Sequence, residues 1–184
     1  MKHEIFPTPI WQIKGASQQL IDELLQGAYT CKNKIENNER TKLGFPTTKH
    51  GGFQSPPFEW KDFHPEGIKY VEDNVKKEIK EDGEEAEVIR VAWWYNINPT
   101  GGWDIPHSHP GVDLAAVFYL TDGELSFVSP HNRSIGVRGQ QLMNNKKGDL
   151  IMFPSDVMHM VLPNKSEKDR ISISMNINVD LKPL

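Results

Sequence analysis

From about residue 86 onward the chain is written in short apolar runs separated by turn signals, and this rhythm limits the fold more than any other feature. Runs at Val88–Ile97, Leu114–Leu120, Glu124–Val128, Leu150–Phe153, Val157–Leu162 and Ile171–Val179 have the length of strands. Gly101-Gly102, Asp122-Gly123, Ser129-Pro130 and Lys147-Gly148 separate several of them. The last run alternates cleanly, with Ile171, Ile173, Met175, Ile177 and Val179 on one face and Ser172, Ser174, Asn176 and Asn178 on the other. Six short strands at this spacing predict a sandwich or jelly roll.

The first half has a different grammar. Residues 3–14 carry Ile5, Phe6, Ile10, Trp11 and Ile13 among prolines, which suits a short edge strand. Ser17 is placed to cap a helix running to about Asn37, with Leu20, Leu24 and Ala28 one turn apart. A second helix is expected over Pro65–Glu81, with Pro65 in its first turn and Ile68, Val71, Val75 and Ile79 on one face. Residues 38–60, rich in glycine and proline, read as a long loop and a candidate lid. The whole chain, residues 1–184, therefore reads as one mainly β domain of the α+β class. A helical and loop support region of about 1–85 precedes a β core of about 86–184.

Composition removes several classes of function. One cysteine, Cys31, allows no internal disulfide and makes a cysteine-based zinc site untenable. A net charge of −4, from 21 basic and 25 acidic residues, gives no reason to expect nucleic acid as a partner. No run approaches the roughly 20 apolar residues of a membrane span, and the first residues lack a secretory leader's apolar core. A cytoplasmic protein is expected. Trp11 and Trp60 would mark a dimer surface if the chain forms a homodimer. Any metal must be held by imidazole and carboxylate, and there are seven histidines.

His107-Ser108-His109 stands just before a strand, and in extended backbone residues two apart point the same way. His159 lies in a later strand, and Asp113 follows His109 by four positions. Imidazole with carboxylate suits Fe(II), Zn(II), Mn(II) or Cu(II). His3, His50, His64 and His131 read as ordinary surface residues. Arg170 and Ser172 share a strand face, and a guanidinium fork beside a hydroxyl is suited to two-point binding of a carboxylate. Alone, Arg170 would read as a surface partner of Glu167 or Asp169. Trp93, Trp94 and Trp103 are candidates for a substrate wall, though adjacent strand residues point to opposite faces.

Together these segments resemble the 2-oxoglutarate- and Fe(II)-dependent oxygenases, most closely a branch of small members also found in phages. The resemblance runs through His107-x-His109, Val117-Phe118-Tyr119-Leu120, Gly148-Asp149-Leu150-Ile151-Met152-Phe153-Pro154-Ser155, His159 and Arg170-Ile171-Ser172-Ile173-Ser174-Met175-Asn176. Ile5-Phe6-Pro7-Thr8-Pro9-Ile10 and Gly51-Gly52-Phe53-Gln54-Ser55 are similar as well. It implies a double-stranded β-helix (jelly roll) with the N-terminal helices packed against it. It also implies iron on His107 and His159, and the distal carboxylate of 2-oxoglutarate on Arg170 and Ser172. Asn96, Asn98 and Tyr119 would line the same pocket. The reaction implied is hydroxylation of a separate substrate, such as a prolyl or other protein side chain, with O2 consumed and succinate and CO2 released. The superfamily usually has His-x-Asp at the first site, and here the aspartate position is His109. Either His109 completes a three-histidine set, the favoured reading on spacing, or Asp113 restores a carboxylate, or the third position is left open.

Two rivals remain at this level. Gly101, His107-x-His109 and Asp113, then Gly148, Pro154 and His159, also resemble the two cupin motifs, with Asp156 in place of a glycine. A cupin, whether enzyme or binding protein, has no need of Arg170-x-Ser172. The third reading is a non-enzymatic jelly roll with vestigial histidines.

Overall fold

The computed structural model describes residues 7–36, 49–129 and 139–183. Strand β1 (Trp11–Ile13) precedes helix α1 (Gln18–Glu36). Three two-residue strands, β2 (Lys49–His50), β3 (Phe53–Gln54) and β4 (Phe58–Glu59), lead to helix α2 (Pro65–Glu81). The β core follows as β5 (Glu84–Asn98), β6 (Trp103–His107), β7 (Leu114–Tyr119), β8 (Gly123–Val128), β9 (Gln140–Asn145), β10 (Leu150–Pro154), β11 (His159–Val161) and β12 (Arg170–Pro183). All pairings are antiparallel. One sheet has the order β1-β10-β7-β12-β5-β3, with β4 also on β5, and the second has β2-β6-β11-β8-β9. From β5 the chain passes back and forth between the sheets, which makes the fold a jelly roll.

The pleat of β7 explains how the layers are assigned. All six of its residues are buried, as expected for a strand covered on both faces. Leu114, Ala116 and Phe118 join the apolar layer under the helices, with Leu20 and Leu24 of α1 and Val71 and Val75 of α2. Ala115, Val117 and Tyr119 face the other way, into a smaller cluster with Leu125, Phe127 and Phe153 between the sheets. β12 divides likewise: Ile171, Ile173, Met175 and Ile177 pack under the helices, while Ser172 and Ser174 line the space between the sheets. The polar side of the chain's most regular strand is therefore turned inward, toward a cavity.

The helices follow their sequence signals. Ser17 Oγ accepts a hydrogen bond from the Leu20 N–H (3.1 Å), capping α1. α2 starts at Pro65 and buries Val71, Val75 and Ile79. No helix among the described residues is long and apolar enough to cross a membrane.

Four expectations need correction. Of the edge strand expected over 3–14, residues 1–6 lie outside the described residues, and pairing is confined to β1. The expected loop and lid at 38–60 is in its second half sheet: β2 pairs with β6, and β3 and β4 pair with β5; residues 38–48 lie outside the described residues. β6 and β9 went unread because Trp103-Asp104-Ile105-Pro106-His107 carries a proline and an aspartate, and Gln140–Asn145 is mostly polar. The run Val157–Leu162 is a strand only over β11, where its register against β6 shifts. The tryptophans also sort clearly. Trp11 and Trp60 are partly buried and pack against the protein's own core.

Candidate metal centre and anion pocket

Two strands and the segment that follows one of them bring the histidines together. His159 on β11 is the direct register partner of His107 at the end of β6. His109 lies just past β6, where its N–H donates to the Ser155 carbonyl (2.8 Å). The ligand atoms of His107, His109 and His159 all lie within 4.8 Å of one another. The His107 and His159 rings are 4.4 Å apart, and each is 5.1 Å from the His109 ring.

The tautomers follow from the hydrogen bonds. His107 Nδ1 lies 2.7 Å from the Ile105 carbonyl and His159 Nδ1 lies 2.9 Å from the Val157 carbonyl. A carbonyl only accepts, so each Nδ1 carries the proton and each Nε2 keeps its lone pair, the arrangement metal-bound histidines use. His109 Nε2 is 3.3 Å from His159 Nε2. Burial lowers His159 to about 3 and His109 to about 4, and the neighbouring imidazoles push in the same direction. At neutral pH His109 and His159 are thus uncharged and ready to ligate.

These lowered values predict a pH dependence for the metal-free protein. The unfolded chain takes up protons on these histidines near pH 6.5, while the folded chain resists until about pH 4 and about pH 3. Their neutral burial is therefore costless above the unfolded value and increasingly destabilising as pH falls through it. The melting temperature of metal-free protein should drop between pH 7.5 and 5, and the drop should be shallower in His159→Phe. A flat profile over that window would contradict the burial of neutral imidazoles.

The structure does not bring Asp113 to the cluster. It is exposed ahead of β7, and its Oδ2 accepts from the Val179 N–H (2.9 Å) and the Asn178 amide (3.4 Å) on the far part of β12. The competing carboxylate ligand is thus occupied in pinning two strands.

A cavity of about 190 Å³ lies between the sheets, and the three histidines line it together with Arg170, Ser172, Asn98 and Tyr119. Asn98 faces Arg170, and Ser172 faces both Asn96 and Tyr119, in direct register. Trp94, whose ring centre is 6.0 Å from that of His109, faces Ser174. From Trp94 to Asn98 is four residues of strand, or ~13 Å. The imidazoles and the guanidinium are therefore set at different levels of one polar channel. Arg170 is buried (6% exposed), donates from Nη2 to the Gly102 carbonyl (3.2 Å), and has no partner at Nε. A buried guanidinium with unused donors facing a cavity is a site for an anion. Burial raises the Tyr119 phenol, the Arg170 charge opposing it, so that it stays protonated and able to donate. Gly123 gives both residues room: a Cβ there would come within 2.6 Å of the Tyr119 ring and 2.9 Å of Arg170 Cδ.

The tryptophan wall reduces to Trp94. Trp93 is buried under the helices against Phe58 and Phe63, and Trp103 stacks on His50 at the sheet edge. Asn96 donates to Ser174 Oγ (2.9 Å). Residues that sequence reasoning missed include Gln54, Ser174 and Phe153, and above all Asp104, which lines the cavity three residues before His107. Strict alternation from His107 would put Asp104 on the opposite face. It lines the cavity with His107 because the pairing of β6 with β11 shifts register between the two positions, which no local signal in the sequence marks.

A jelly roll that combines an imidazole cluster with a buried guanidinium in one polar channel has the groups to hold a divalent metal and an anion in the same cavity. The comparisons are specific on this point. Residues 92–176, just under half of the chain and including His107, His109, His159 and Arg170, match the family model described as "Putative 2OG-Fe(II) oxygenase". The fold is shared with a prolyl-4-hydroxylase from Pseudomonas putida, at 16% identity over 92% of this chain and 91% of that one, TM-score 0.62. It is shared with the viral collagen prolyl hydroxylase of Paramecium bursaria Chlorella virus-1, at 14% identity over 91% and 94%, TM-score 0.58. HygX from Streptomyces hygroscopicus, solved with nickel and 2-oxoglutarate bound, is similar at 13% identity over 93% and 82%, TM-score 0.53. No curated protein matches the sequence.

Proposed function

We propose that the protein hydroxylates a protein side chain, prolyl being the first to test, using iron held by His107, His109 and His159 and 2-oxoglutarate anchored by Arg170. The observation that carries this is the shared cavity: metal-ready imidazoles and an anion-seeking guanidinium line the same channel. The donor set fits a divalent first-row metal, being three imidazole nitrogens with two tautomers fixed by backbone carbonyls. Bound iron with 2-oxoglutarate supplies oxygen activation coupled to release of succinate and CO2.

The chain's own residues do the rest. Arg170 fixes the distal carboxylate, and Ser172 and the Tyr119 hydroxyl are placed to donate beside it. Val117, Leu125 and Phe153 give the channel an apolar lining that limits water. Trp94 stands beside His109 as a surface for the substrate. Two of the structural relatives described above are prolyl hydroxylases, which supports a prolyl side chain as the first candidate. The net charge of −4 supports a partner other than nucleic acid. A single cysteine and an Fe(II) requirement support action in the cytoplasm. A cupin would leave the buried Arg170 without a purpose.

The test is anaerobic addition of Fe(II) and 2-oxoglutarate, followed by air. A visible charge-transfer band that needs both components, then succinate formation, is the expected result. Metal binding with neither band nor succinate would reject the oxygenase reading in favour of the cupin one.

A further inference from the structure

Behind the anion end of the cavity lies a buried ion pair that the functions assigned above leave unused. Lys49 on β2 and Asp104 on β6 are direct register partners. Lys49 Nζ lies 3.1 Å from Asp104 Oδ2, with the two side chains only 3% and 9% exposed. The same ammonium donates to Asn98 Oδ1 at 2.6 Å, and the Asn98 amide lies 3.5 Å from Asp104 Oδ2. Asp104 and Asn98 line the cavity. A buried ion pair adds little net stability, because desolvation offsets most of the attraction. A carboxylate in the wall of a pocket for carboxylates is also a liability, since like charges repel strongly away from water. Asp104 acts electrostatically on Arg170, and Glu124, outside the lining, acts on it more weakly.

Charge counting shows what the pair does. Arg170 and Asp104 alone would make this part of the channel neutral, and Lys49 restores a net positive charge. We propose that Lys49 is a positioning residue for the co-substrate: by neutralising Asp104 and holding Asn98, it leaves Arg170 as the uncompensated charge that receives a carboxylate. Lys49 lies outside the segment matched by the family model, residues 92–176, and enters the site only because β2 is paired to β6. The inference rests on the reading of Arg170 as the anchor for 2-oxoglutarate.

The test is calorimetric titration of 2-oxoglutarate into Mn(II)-loaded protein, comparing wild type with K49M, K49M/D104N and R170M. K49M leaves Asp104 unpaired and should weaken binding about ten- to hundredfold. The double variant removes both charges and should return to within about threefold of wild type. Mn(II) affinity should be the same in all four proteins, a readout that general damage to the fold would move. If K49M proves too unstable to measure, the double variant still decides, since recovery of binding is its expected result. Wild-type affinity in K49M, or a double variant as weak as K49M, overturns the inference. If wild type itself fails to bind 2-oxoglutarate, or R170M binds as well as wild type, the reading of the anchor fails instead.

Discussion

Replacing His107, His109 or His159 singly with alanine is expected to lower divalent-metal affinity by more than 100-fold, because loss of even an outer partner of a ligand costs about 10–100-fold. Asp113→Asn should leave affinity unchanged, since that carboxylate is spent on the Val179 N–H and the Asn178 amide. Anaerobic calorimetry with Fe(II), repeated with Mn(II), measures both. His109 is the informative position. His107 and His159 have their Nδ1 protons fixed by backbone carbonyls, whereas His109 is held by ring contacts and its 3.3 Å approach to His159. His109→Asp should bind metal at least as tightly as wild type, because it adds a negative charge to an otherwise neutral donor set. Wild-type affinity in His109→Ala would remove His109 from the ligand set and leave the third protein position open.

Arg170→Met is expected to abolish measurable 2-oxoglutarate binding while leaving metal affinity intact. The side chain is buried, its Nε has no partner, and its only hydrogen bond among the described residues runs from Nη2 to the Gly102 carbonyl. The guanidinium's folded-state interactions are thus sparse, which is the condition of a group awaiting an anion. Methionine fills a similar volume without the fork. Arg170→Lys should recover only part of the affinity, because an ammonium cannot make two parallel hydrogen bonds to one carboxylate. Titration of 2-oxoglutarate into the Mn(II)-loaded variants checks both. Unchanged binding in Arg170→Met would place the co-substrate elsewhere.

The histidines and the Arg170-x-Ser172 pair were legible because period-two alternation is a local property. Once β12 is read as a strand, Arg170 and Ser172 must share a face. Asp113 misled for the complementary reason. Its chain distance from His109 says nothing about direction, and a turn before β7 points it at Val179 instead. Lys49 and Asp104 were invisible as a pair, being separated by 55 residues, one in a glycine-rich stretch and one in a strand interrupted by Pro106. Neither carries a local signal, and only a cross-strand register makes them neighbours.

By itself, then, the order of residues determined the strand and helix grammar, the face each side chain occupies on a regular strand, and the residue types available to a metal. Those are consequences of backbone geometry acting over a few positions. Tertiary structure alone decided which face looks inward. Ile171, Ile173 and Met175 form the obvious apolar face, yet they pack outward beneath the helices, while Ser172 and Ser174 turn to the cavity. The physical reason is that a central strand of this sheet is covered on both sides. Hydrophobic burial can be satisfied under α1 and α2, which leaves the space between the sheets free for polar groups, and only the packing of both layers settles where the chemistry sits.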